Sequence, residues 1–299
     1  MKKSRINKNL YVLFLLFLFC GCFVNRAEKE SEKIGVAVSV EPFAFLADRI
    51  GGERVQIEVI VPPGKEPEHY QTTPEKIAGI IRSKILFCTG MPFEETLLPK
   101  LRSNAPNLKA VDLRTNLKLR ELELHHHGED DTHHSHGASA DPHIWFAPSA
   151  LKTEATAVLA ALLEMDSVHK DFYQKNYDFL IEEIESVRKE LAEKLLPLKG
   201  QTVYVFHPSY GYFCDEFGLE QRAIEFEGKT PKPQQLAEQI AEMKKEAKPP
   251  VIIVQKEFNQ SPAQAVAEAA GGTLAVHSAL ERDVLQSMKR FADLLVNRQ

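Results

Sequence analysis

Eleven histidines stand in the 299-residue chain, and six of them, His125, His126, His127, His133, His134 and His136, crowd into the stretch 125–136. Neutral imidazole is a good donor to Zn²⁺, with Zn–N bonds of about 2.0–2.1 Å. Outside that stretch the informative histidines are His69 in Glu66-Pro67-Glu68-His69-Tyr70, His143 in Asp141-Pro142-His143, and His207 in Phe206-His207-Pro208. Steps of 74 and 64 residues separate them, so no two share a helical turn. A metal held by all three would clamp separate elements, unlike a zinc finger. Taken singly, each histidine fits a structural hydrogen bond equally well, and spacing alone does not decide. A zinc hydrolase would need an open coordination position and a general base. No His-Glu-x-x-His or paired-Asp metal signature occurs in the chain.

Positioning such donors requires a frame, and apolar patterning supplies one. Strands are expected at 33–39, 54–61, 84–88 and 108–113, with helices at 42–50, 74–82 and 93–102 between them. That alternation predicts an α/β lobe with a mostly parallel sheet flanked by helices. After a loop at 119–140 come a helix at 148–165 and a longer one. In the longer one Tyr173, Tyr177, Leu180, Ile184, Val187, Leu191 and Leu195 recur at helical spacing. With its flanks it runs to about 30 residues, or about 45 Å, enough to act as a strut. Alternation restarts at 202 and continues to the C-terminus, predicting a second α/β lobe. His207 follows an apolar strand, and ligand sites of open α/β sheets gather outside the carboxyl ends of strands.

Composition agrees with a globular protein: 43% hydrophobic and 26% charged residues exclude a disordered, collagen-like or polytopic membrane chain. A net charge of −5 leaves no basic surface for nucleic acid. Four cysteines are too few for a disulfide scaffold, and Cys88 and Cys214 read as small buried hydrophobes. The N-terminus carries Lys2, Lys3, Arg5 and Lys8 ahead of an apolar run from Leu10 to Phe19. Ten residues span only about half a bilayer core as a helix, so the run reads as an export signal. Gly21-Cys22 after it resembles the lipobox of bacterial lipoproteins, which makes Cys22 the lipidation site. Removing residues 1–21 leaves 33 basic against 42 acidic residues, a net charge of −9. The expected organisation is a signal peptide at 1–21, a lipid-attached tether at 22–32, an N-terminal lobe at 33–166, a linking helix at 167–197 and a C-terminal lobe at 198–299.

From about residue 33 onward the chain resembles the metal-specific solute-binding proteins of ABC importers, and within them the zinc-binding (ZnuA-type) branch. The resemblance is carried by VPPGKEPEHYQTTP around His69, DPHIWFAP around His143 and VFHPSYGYFCDEFGL around His207. EGKTPKPQQLAEQIAEMKKEAKPPVIIVQKEFN, followed by AEAAGG, extends it into the second lobe. It implies two lobes joined by one rigid helix, with zinc held in the cleft by His69, His143 and His207. Many members supply a fourth ligand as Asp in Leu-Asp-Pro-Leu, where this chain has Val276-His277-Ser278-Ala279-Leu280. His277 is the natural substitute; Glu68 or a water are the others. A site rich in imidazole favours zinc over manganese, which prefers oxygen. Relatives of the zinc type carry a similar His-rich insertion, and residues 125–136 read as a weak accessory metal loop.

The resemblance implies a non-enzymatic monomer that captures Zn²⁺ outside the cytoplasmic membrane and delivers it to an ABC permease, anchored to the membrane by lipid. The alternatives are a manganese- or iron-type binding protein of the same family and a surface adhesin that buffers zinc.

Overall fold

The computed structural model describes residues 33–121, 140–225 and 232–297. The segments expected to be a signal peptide at 1–21 and a tether at 22–32, with Cys22, and the six loop histidines between His125 and His136 lie outside the described residues. Among the described residues no helix is long and apolar enough to cross a membrane.

Each lobe is built on a four-stranded, wholly parallel sheet. The first contains β1 (Ile34–Val38), β2 (Val55–Val59), β3 (Ile85–Cys88) and β4 (Lys109–Asp112), in the order β2-β1-β3-β4. The second contains β5 (Thr202–Val205), β6 (Glu220–Ala223), β7 (Val251–Val254) and β8 (Thr273–Val276), in the equivalent order β6-β5-β7-β8. Parallel strands buried on both faces read as continuous apolar runs. Ile85–Cys88 is buried at every position, as that rule requires.

Helices connect the strands: α1 (Glu41–Gly51), α2 (Pro74–Arg82) and α3 (Pro92–Asn104) in the first lobe, then α4 (Pro148–Met165). In the second lobe they are α6 (Gly211–Phe217), α7 (Pro233–Met243), α8 (Gln260–Ala270) and α9 (Val284–Val296). Four of them begin on proline, whose fixed φ and missing N–H suit the first helical position. Helices α6 and α8 end at Gly218 and Gly271, both at positive φ, where a glycine terminates a helix without strain.

The linking helix α5 covers Lys170–Leu195, 26 residues, with single 3₁₀ turns at Ser167–His169 and Leu196–Leu198 on either side. It buries Tyr173, Leu180, Ile184, Val187, Leu191 and Leu195. One continuous hydrophobic core takes in residues of both lobes and this helix. Across the cleft Phe146 packs edge-on against Tyr210 and Phe291, with centroids 5.2 and 5.7 Å apart, while Tyr210 and Phe291 stack at 4.3 Å. Trp145 Nε1 donates to the carbonyl of buried Ala279 at 2.9 Å. Cys88 and Cys214 are buried in different lobes, and no disulfide joins them.

Candidate metal centre

The loop carrying His143 is fixed from three sides. Asp141 and His143 form a tight local turn, with His143 N–H donating to Asp141 Oδ1 at 2.9 Å. Tyr212, on α6 of the other lobe, donates its hydroxyl to the Asp141 carbonyl at 2.9 Å. Thr89 Oγ1, just past β3, donates to the Pro142 carbonyl at 2.6 Å. Thr89 is itself held by Glu94 in the first turn of α3, whose carboxylate accepts from the Thr89, Gly90 and Met91 backbone N–H groups and the Ser39 hydroxyl. The carboxyl ends of β1 and β3, where the strand order of the first sheet reverses, are therefore filled by Glu94 and used to brace the His143 loop.

His207 lies past β5, beside the equivalent switch point of the second sheet. Gln255 Nε2 donates to its carbonyl at 2.8 Å, and its ring lies against Phe258, with centroids 4.7 Å apart. Both imidazoles then meet one carboxylate. His143 Nε2 is 2.8 Å and His207 Nε2 is 3.0 Å from Glu68 Oε1, and the two nitrogens are 3.1 Å apart. Among the described residues, Glu68, His143 and His207 are the group of His, Cys, Asp and Glu side chains whose donor atoms could hold a metal ion together. They line a cavity of about 10 Å³, the scale of one small particle.

The second ring nitrogens settle the direction of these donors. His143 Nδ1 is 2.7 Å from Asp141 Oδ1, and His207 Nδ1 is 2.6 Å from Glu225 Oε1. A carboxylate can only accept, so each Nδ1 carries the proton and each Nε2 faces the cavity, the arrangement that braces metal-binding histidines. Burial by itself would depress the His207 pKa, but Glu68 and Glu225 outweigh it and push it up to about 10. His143 is raised in the same way, with Asp141 and Glu68 overcoming its desolvation. Burial would raise Glu68, yet the charge of His207 and hydrogen bonds from both imidazoles hold it well below the usual carboxylate range. Both Nε2 atoms and Glu68 Oε1 thus converge on one point, where a bound cation would take the place of any proton the Nε2 atoms carry.

Two expected donors are placed elsewhere. His69 is exposed, and its neighbour Glu68 occupies the centre in its stead. A turn closed by Tyr70 N–H to the Pro67 carbonyl, at 3.3 Å, sends these consecutive side chains in different directions. His277 is buried and both nitrogens have partners: Nε2 donates to the Ser287 carbonyl at 3.0 Å, and Nδ1 lies 3.1 Å from the Tyr210 hydroxyl, which also donates to the His277 carbonyl at 3.1 Å. Desolvation lowers its pKa to about 4, so it stays neutral. The four-imidazole set is therefore not assembled; the close group is two imidazoles and one carboxylate. Trp145 lies edge-on to His143, with centroids 5.4 Å apart.

Comparison with known proteins places this arrangement in context. A protein of Chlamydia trachomatis, named for metal binding alone, is 27% identical over 72% of this chain and 73% of its own length. The high-affinity zinc uptake system protein ZnuA of Bacillus subtilis is 25% identical over 79% of this chain and 74% of its own. A crystal structure of ZnuA superposes with a TM-score of 0.81 at 28% identity, covering 89% of this chain and 99% of that one. Residues 36–297 match the family described as zinc-uptake complex component A, periplasmic (ZnuA), and the chain belongs to that family of solute-binding proteins.

Proposed function

We propose that this protein captures Zn²⁺ outside the cytoplasmic membrane and delivers it to the permease of an ABC importer, as a monomer tethered through lipid on Cys22. The observation that carries the reading is the convergence of His143 Nε2, His207 Nε2 and Glu68 Oε1 within 3.1 Å of one another in a buried cavity. Each imidazole has its far nitrogen on a carboxylate, so the donors are aimed before an ion arrives. Glu68 and His143 come from the first lobe and His207 from the second, so one ion would tie the two lobes together. Coordination with later release asks for no chemical step.

Manganese or iron is the second reading, favoured by the carboxylate that stands where an imidazole was expected. Oxygen donors suit harder ions, and two nitrogens with one carboxylate discriminate less strongly for zinc than four imidazoles.

The test is zinc stoichiometry and affinity for the exported chain with residues 125–136 deleted, alone and combined with His207→Ala. One tight site that survives the deletion and disappears with His207→Ala supports capture in the cleft. Loss of tight binding on deletion alone would assign the metal to the loop.

A further inference from the structure

The same cavity is lined from the second lobe by Gln255 and Glu257. Both belong to the turn that follows β7, closed by Phe258 N–H to the Gln255 carbonyl at 3.1 Å. The strand order of the second sheet reverses between β5 and β7, so His207 enters from one side of that crevice and Gln255 and Glu257 from the other. Three buried oxygens on the residues that line this cavity have no hydrogen-bond partner: Glu68 Oε2, Gln255 Oε1 and Glu257 Oε2. Their companion atoms are committed. Gln255 Nε2 donates to the His207 carbonyl and to Ser209 Oγ, while Glu257 Oε1 accepts from Ser278 Oγ at 2.7 Å. A buried acceptor without a donor is costly, the more so when charged. Three such oxygens around two imidazole Nε2 atoms make an environment that a cation satisfies.

We infer that Glu257 is a further metal ligand, supplied by the second lobe through Oε2, with Ser278 as the positioning residue that holds the other oxygen. The inference rests on the cavity being the metal site. Glu257 lines the cavity without belonging to the close group of Glu68, His143 and His207. It therefore closes on the ion by a side-chain movement about the Ser278 contact. Two carboxylates balance the charge of a divalent cation, and the resulting N₂O₂ donor set extends the ligand class from Zn²⁺ to Mn²⁺ and Fe²⁺. It also gives the second lobe an oxygen donor in place of the expected His277.

The experiment compares the exported chain with Glu257→Gln, Ser278→Ala and His207→Ala. It uses competition titrations with ZnCl₂ and MnCl₂ and the visible absorption spectrum of the Co²⁺-loaded protein. Glu257→Gln is expected to retain one site while weakening Zn²⁺ at least about tenfold and Mn²⁺ by more, with displaced Co²⁺ bands. Ser278→Ala keeps the carboxylate but frees it; it weakens both metals by a smaller factor and serves if Glu257→Gln does not fold. Wild-type affinities and an unchanged Co²⁺ spectrum in whichever of these variants folds would overturn the role of Glu257. His207→Ala separates the two questions: wild-type affinity there would overturn the cavity as the metal site. Lost affinity there with an unaffected Glu257→Gln would overturn the ligand assignment alone.

Discussion

His207 Nδ1 and Glu225 Oε1 lie 2.6 Å apart, and this bond decides which nitrogen of the ring faces the cavity. Glu225 is buried at the carboxyl end of β6, beside the strand that delivers His207, so the pair is set by neighbouring strands of one sheet. Removing the acceptor frees the ring to rotate or change tautomer. Glu225→Ala should weaken zinc binding about 10- to 100-fold with the ligands intact. Glu225→Gln, whose amide oxygen still accepts, should recover most of the loss. Titration against a chelator of known affinity measures both, and equal losses in the two variants would contradict the orienting role.

The lobes are joined by more than the strut. Trp145 Nε1 donates to the Ala279 carbonyl, the Phe146 cluster crosses the cleft, and Arg282 of the second lobe pairs with Glu41 and Asp48 on α1. Hinge opening would expose that apolar cluster and strand the Ala279 carbonyl. Solution scattering should therefore give the same radius of gyration before and after ZnCl₂ is added; contraction beyond experimental error would show a hinge. Trp145→Phe leaves the carbonyl without its donor and should cost about 1–3 kcal/mol of stability. Arg282→Ala should cost at most about 1 kcal/mol, because that side chain is 44% exposed.

The sequence exposed the strands and the linking helix because buried parallel strands and a helix with one apolar stripe both leave strong periodic signals. His207 was marked by its place after an apolar strand, and His143 and His207 together by the motifs around them, since their spacing alone decided nothing. Glu68 was named only as an alternative fourth donor, and its place ahead of His69 was not legible, since the 62–73 segment has no periodicity from which to read which side chain points inward. Tyr70, in contact with Phe93 at 6.0 Å, anchors that segment so that Glu68 faces the cavity and His69 faces solvent. Glu257 was missed because an acid in a turn reads as a solvated surface residue. Its orphaned oxygen becomes visible only once the fold closes around it.

His277 gives a pH signature that is independent of metal. Its pKa falls from 6.5 to about 4 on folding because burial disfavours the charged ring. The hydrogen bond to the Ser287 carbonyl and the charge of Glu281 oppose this fall, while Arg290 and Lys256 add to it. Above pH 6.5 the ring is neutral in both states and costs nothing. As pH falls from 6.5 towards 4 the unfolded chain takes up the proton first, and about 3 kcal/mol of stability is lost by the lower limit. His277→Gln removes this titration. The wild-type melting temperature, measured without metal, should decline more steeply than the variant's between pH 6.5 and 4; parallel curves would contradict the assignment.

Glu154 predicts the opposite slope. It lies on α4, wholly buried, and neither carboxyl oxygen has a hydrogen-bond partner among the described residues. Desolvation drives its pKa well above 4.5, because burial disfavours the carboxylate relative to the neutral acid. The unfolded chain ionises first as pH rises through about 4.5, and stability then falls progressively until the folded-state pKa is passed. Glu154→Gln keeps size and polarity but cannot ionise, so it should gain stability over wild type as pH rises from 5 to 8. Glu154→Leu also removes the unsatisfied polar atoms and should gain more, provided its branched shape fits the space. Chemical denaturation at the two pH values checks both. A wild-type protein that holds or gains stability over that range relative to Glu154→Gln would mean that the carboxylate is ionised and satisfied in the fold.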